Sequence, residues 1–120
     1  MIKQENEKLC NLDYLLAMVN GKKHLIIEIM DVFLKQIPEE LIIIDQAIIK
    51  EDFATIKSYA HTMKSSVSIM SIKSLVPILK EMEDLSEKST DIERIQELNK
   101  ILNLLCSIAI EEVEEEKLLM

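Results

Sequence analysis

The chain is 120 residues long, the size of one domain, and 48% of it is apolar with one Gly and two Pro. So few turn-formers, alongside abundant Leu, Ile, Glu and Lys, exclude a turn-rich β architecture and point to an all-α protein. The formal net charge of −8 makes a surface that repels phosphate backbones, which excludes general nucleic-acid binding.

Met1-Ile2-Lys3-Gln4-Glu5 opens into polar residues without a signal-peptide core. No apolar run nears the roughly 20 residues that a bilayer span needs, and the acidity disfavours a membrane-surface helix. A cytoplasmic location is expected. Cys10 and Cys106 match no metal spacing and form no CxxC, so they read as reduced packing residues.

Asn11 is placed to cap a short helix over Leu12 to Val19, which Asn20-Gly21 closes. A long helical pattern follows from Lys22 to Lys50, with Leu25, Ile26, Ile29, Met30, Phe33, Leu34, Ile37, Leu41, Ile44, Ala47 and Ile48 at helical spacing. Pro38 falls inside it, and a kink or short break is expected there. Asp52 caps the next helix, from Phe53 to about Met70. Ser71 or Ser74 is expected to cap another that ends near Lys88, with Pro77 in its first turn. Ser89-Thr90-Asp91 makes a turn before a last helix, from Ile92 to about Glu116. The acidic run Glu111 to Glu116 is expected to fray. Together these segments predict one domain over residues 1–120, with its core about 12–113. It is an antiparallel four-helix bundle with a short extra N-terminal helix packed on one end.

Two other features read as ordinary packing or solvation. His24 and Glu28 lie one turn apart, but no third or fourth ligand accompanies them, and no metal site is expected. The seven methionines fall mostly on apolar stripes and fill the core.

His61 stands apart from this pattern. At about 100° per residue, Ile56, Tyr59, Ala60, Met63, Val67 and Met70 gather on the side of their helix opposite His61, as a core stripe. Lys57, Ser58, Lys64, Ser65 and Ser68 lie within about 60° of the histidine. His61 is therefore expected to be exposed, on a face of small hydroxyls flanked by two lysines. An imidazole is a good nucleophile near neutral pH. Phosphoryl transfer asks a protein chiefly for positioning and positive charge, which Lys64 can supply one turn away. The serines leave room for another surface, and their hydroxyls can donate to phosphoryl oxygens.

The stretch Ala60-His61-Thr62-Met63-Lys64-Ser65-Ser66 resembles the Ala-His-x-Leu-Lys-Gly-Ser/Ala signature of histidine-containing phosphotransfer (HPt) domains. Phe33 to Leu41 is similar to that family's segment of Phe, then Pro, then Leu. Ile43 to Lys57 is similar to its leucine-rich stretch ending in an acidic turn, and Leu75 to Glu83 to the helix that often carries a Leu-Glu pair. The resemblance covers about Leu12 to Val113. It implies that His61 is the phosphoacceptor and Lys64 helps neutralise the phosphoryl group. It implies a carrier without intrinsic kinase activity, relaying phosphoryl groups between the aspartates of response-regulator receiver domains downstream of a hybrid sensor histidine kinase. Mg²⁺ is expected in the partner receiver, and no cofactor in this chain. Leu15, Met18, Ile69 and Ile72 are docking candidates, and a monomer is expected. Ser65 and Ser71 stand where the family usually has Gly; Ser71 is expected to serve as an N-cap. The alternative is a non-catalytic helical adaptor that binds a receiver or another partner without phosphoryl exchange. A histidine-kinase dimerisation domain is disfavoured, since Thr62 rather than an acidic residue follows His61.

Overall fold

The computed structural model describes residues 9–120. Its helices are α1 (Leu12–Met18), α2 (Lys23–Ile49), α3 (Phe53–Ile69), α4 (Val76–Glu87) and α5 (Ile92–Leu118), with a 3₁₀ turn at Lys73–Leu75 before α4. The four long helices close a ring: α2 packs on α3 and α5, and α4 packs on the same two. Ion pairs and hydrogen bonds fix the directions. Lys57 and His61 of α3 meet Glu87 and Glu83 of α4, in that order. Asp31 and Asp45 of α2 meet Lys117 and Asn99 of α5. Both pairs of helices are therefore antiparallel. α1 lies against α2, with Leu15 fully buried.

One stripe from each helix builds the core. α2 contributes Ile26, Met30, Phe33, Ile37, Leu41, Ile44, Ala47 and Ile48, and α3 contributes Ile56, Ala60, Met63 and Val67. Leu79 and Met82 come from α4, and Ile95, Leu98, Leu102, Cys106, Ala109 and Val113 from α5. Fully burying each Leu, Ile, Val, Phe or Met contributes about 1.5–3 kcal/mol, which is why these stripes decide the register. Cys106 sits at 0% exposure within this core, and burial first, then the Glu40 carboxylate, pushes its thiol up to about 12. Asp45 accepts from Asn99 and Asn103 at 2.7 and 3.3 Å, a polar node between α2 and α5.

Three sequence expectations are corrected. Of the kink or short break expected at Pro38, the break does not occur: α2 is one helix from Lys23 to Ile49. A proline inside a helix costs about 3 kcal/mol or more, yet the burial of Phe33, Ile37, Leu41 and Ile44 on either side outweighs it. The acidic end of α5 does not fray, since the helix continues to Leu118 and buries Glu112 and Val113. Neither Ser71 nor Ser74 caps α4. Leu75 occupies the cap position without a side-chain bond, and Pro77 lies in the first turn as expected.

Ser71 instead ends α3. Its N–H donates to the Ser68 carbonyl at 3.0 Å and that of Ile72 donates to Val67 at 2.8 Å, which forces Ser71 to a φ of 56°. The same paired bonds end α1, α2 and α4, with Asn20, Glu51 and Ser89 at the left-handed position. Asn tolerates that conformation, whereas other L-residues are disfavoured in it by about 1–2 kcal/mol. S71G and E51G are each expected to stabilise the fold by about 0.5–1 kcal/mol, since glycine's greater chain entropy offsets part of the relief. Urea unfolding measures this, and an unchanged or lower midpoint contradicts it.

Candidate functional site

The middle of α3 carries two faces. Ala60, Met63 and Val67 are buried in the core, and His61, Ser65 and Ser68 are exposed on the other side. Asp52 starts the helix by accepting from the Thr55 N–H at 3.2 Å, so the cap nine residues upstream sets the rotation at which His61 emerges. The His61 side chain is 68% exposed.

One nitrogen of the imidazole is engaged. Nδ1 lies 2.8 Å from Oε2 of Glu83 on α4. The other carboxylate oxygen, Oε1, lies 2.5 Å from Lys64 Nζ. Glu83 is only 12% exposed and Lys64 is 23% exposed, so the carboxylate is held between two partners in a sheltered groove between α3 and α4. The Lys64 ammonium first, and His61 after it, hold the Glu83 carboxyl below the ordinary glutamate range, against the opposing effect of its partial burial. An ionised carboxylate only accepts hydrogen bonds. With Glu83 ionised, Nδ1 must carry the proton, and the neutral ring presents its lone pair at Nε2, toward solvent.

The remaining site residues surround this centre. Lys57, one turn before His61, pairs with Glu87 at 3.6 Å and flanks the histidine on the α4 side. The Ser58 carbonyl accepts from the Thr62 hydroxyl at 3.0 Å, and Ser58 itself is exposed. Of the docking candidates, Met18 and Ile69 are exposed, at 49% and 44%. Leu15 and Ile72 are not surface residues. Both are fully buried, because α1 turns Leu15 inward and the end of α3 folds Ile72 under it. They support the surface and cannot touch a partner.

Met18 and Ile69 meet at an apolar groove of about 470 Å³, which Ile29, Val32, Phe33 and Met70 also line. It lies on the α2 side of α3, reached from Ser66, Ile69 and Met70 further along the helix from His61, whereas Glu83 lies on the α4 side. Sequence reasoning missed the role of Glu83 and the contributions of Ile29 and Val32. The α3–α4 pairing could have been anticipated from the two amphipathic helices, but not the register that brings position 83 to position 61.

Among the described residues, no group of three or more His, Cys, Asp or Glu side chains is placed to hold a metal ion. None of the described helices is long and apolar enough to cross a membrane. The Hpt domain family model matches residues 28–115, which span α3, α4, most of α2 and most of α5. The chain belongs to the Hpt domain family. Neither a curated protein nor a solved structure matches it. The family consists of helical phosphocarriers, and membership in it implies histidine phosphotransfer in two-component signalling.

Two outcomes check the geometry. Long-range ¹H–¹⁵N spectra of neutral His61 are expected to show the proton on Nδ1, and E83A is expected to lose that preference; an Nε2–H ring in the wild type contradicts the arrangement. The second outcome concerns acid. A carboxyl whose folded pKa is depressed stabilises the fold above its unfolded value, about 4.3, and that contribution is lost as pH falls through the folded value. The stability advantage of wild type over E83Q is therefore expected above pH 5 and to shrink below about pH 4. A difference that grows on acidification overturns this reading.

Proposed function

We propose that this protein relays phosphoryl groups between receiver domains through Nε2 of His61. The observation that carries the reading is the exposed ring whose Nδ1 is held 2.8 Å from a carboxylate that Lys64 also grips. The Nε2 lone pair attacks the phosphorus of an aspartyl phosphate on a receiver. The N–P bond forms as the P–O bond to the aspartyl carboxylate breaks, and the carboxylate departs with the electron pair. The ring gains positive charge, which Glu83 balances through the proton at Nδ1. Reversal onto the aspartate of a second receiver completes the relay.

Lys64 carries three donors and spends one on Glu83, so it retains capacity for a phosphoryl oxygen. Ser58, Ser65, Ser68 and Lys57 form the surface that faces the incoming group. Ser65 stands where the family usually has Gly, which narrows the approach by a hydroxymethyl group without blocking it. The receiver would supply Mg²⁺ and the acidic pocket that binds it. A hybrid sensor histidine kinase would stand upstream, and this chain would act as a carrier without kinase activity. The apolar groove that Met18 and Ile69 border would take an apolar face of the receiver, with His61 beside it.

Intact mass after incubation with phosphoramidate tests the nucleophile. Wild type is expected to gain an acid-labile phosphoryl adduct and His61→Gln is expected to gain none. No adduct, or equal labelling of both proteins through His24, sinks the proposal. Transfer from a panel of phosphorylated receiver domains then tests the relay. A receiver that binds but never transfers would favour the adaptor reading.

The docking surface has its own test. I69D places a charge in the groove while leaving His61 and Glu83 in place. Transfer from the best receiver is expected to show a KM raised on the order of tenfold, which corresponds to about 1.4 kcal/mol of lost docking. Labelling by phosphoramidate is expected to be unchanged. An unaltered KM would move the docking surface elsewhere.

A further inference from the structure

The acidic end of α5 contains one residue that behaves unlike its neighbours. Glu112 is only 8% exposed, whereas Glu111, Glu114 and Glu115 are exposed. Its two carboxylate oxygens each accept a backbone N–H from the segment that precedes α1. Leu9 N donates to Oε2 at 3.0 Å and Cys10 N donates to Oε1 at 3.1 Å. These contacts span more than a hundred residues of sequence. Asn11 N then reaches the Met70 carbonyl at 3.4 Å, at the end of α3. Residues 9–11 thus cross the end of the bundle from α5 to α3, and α1 begins where they arrive.

Among the described residues α1 is lightly held: Leu12 and Val19 at its two ends are only partly buried against the core. It is seven residues long, far below the length at which a helix is stable alone, and Leu15 is its one buried side chain. Yet it borders both hollows beside the C-terminal half of α3. Met18 lines the apolar groove, and Asn11 and Tyr14 line a second, mixed hollow of about 320 Å³ with Ser71, Ile72, Lys73 and Val76. α5 itself lines neither hollow. Its influence on that face runs through the bond from Glu112 to the strap.

We propose that Glu112 is a positioning residue for partner docking: its carboxylate clasps the N-terminal strap and thereby holds α1 as the wall of the surface beside His61. This rests on the phosphotransfer reading above and adds to it a distant control over docking. The clasp is built from charge-assisted bonds to two backbone amides, sheltered from water, so it is strong and geometrically specific. Releasing it loosens α1 without disturbing the α3–α4 seam, where Glu83, His61 and Lys64 meet.

Two variants break the clasp from opposite sides. E112A removes the acceptor, and C10P removes one donor from a residue outside every helix. Hydrogen exchange of the α1 amides, residues 12–18, is expected to rise on the order of tenfold in both variants while the α3 amides keep their protection. The probe of docking is the phosphorylated receiver domain that transfers fastest to wild type. Its KM is expected to rise roughly fivefold in both variants, with kcat and the rate of phosphoramidate labelling unchanged. A role confined to general stability would lower protection everywhere and leave KM alone. Unchanged exchange in α1 overturns the proposal, as does a loosened α1 with an unaltered KM. If wild type takes no phosphoryl group from phosphoramidate or from any receiver, the phosphotransfer reading fails and the docking role falls with it; a failure of the clasp alone shows only in the variants.

Discussion

The site depends on the register of one antiparallel pair of helices. α3 and α4 are joined by six residues, Met70 to Leu75, and the way that link folds decides which carboxylate meets the histidine. A shift of α4 by one residue would rotate Glu83 by about 100° and carry it away from His61. The link holds because half of its side chains are buried. Met70, Ile72 and Leu75 are all at or below 1% exposure, so sliding α4 would pull three apolar side chains out of the core. Glu83 then settles the proton. An acceptor-only group against Nδ1 leaves the lone pair of the neutral ring on Nε2. Core packing at the helix ends is thus translated into which nitrogen of His61 carries the proton.

The placement of the site on a helix face rather than in a cavity follows from the same economy. Each long helix is committed to the core on one stripe, and α3 keeps its opposite face open with His61, Ser65 and Ser68. Small side chains on that face mean that the imidazole projects past its neighbours. A carrier that must meet more than one partner benefits from such an exposed group, whereas an enzyme that sequesters a substrate would bury it. Under the proposed function the charged seam and the apolar groove would divide the labour: one would polarise the ring, and the other would hold a surface.

Much of this was legible in the sequence, and the limits are instructive. Helix number and order followed from apolar periodicity, and Asn11, Asp52 and the Asn20-Gly21 stop announced three boundaries by local chemistry. The exposure of His61 followed from its position opposite the core stripe. Pro38, Ser71 and the acidic end of α5 misled because each local rule was overruled by burial. The proline sits in a helix whose core contacts run through it. Ser71 lies where the chain must turn left so that Ile72 can be buried. Glu112 is drawn inward by two amides that come from the other end of the chain. Glu83 and the clasp share the same obstacle: both are pairings between distant segments, and periodicity describes one helix at a time. Leu15 and Ile72 failed as docking residues for a related reason, since apolar character near a site does not say which way a side chain turns.

The left-handed residues show how stability and site geometry are coupled in this bundle. Four of the helices end by the same pair of backbone bonds, and three of them place Glu51, Ser71 or Ser89 where glycine is the least strained choice. At Glu51 and Ser89 the turn only reverses the chain. At Ser71 the turn also seats Ile72 beneath the end of α3, sets the register that brings Glu83 to His61, and leaves the serine itself beside Lys73 and Tyr14 in the second hollow. A glycine there would relieve the backbone but would also widen the conformations open to the link in the unfolded chain. Serine gives a stiffer link and a hydroxyl on the surface where a partner would arrive. The strain at that position is small against the burial of Met70, Ile72 and Leu75, and this is why the turn can tolerate a side chain that the backbone alone would not favour.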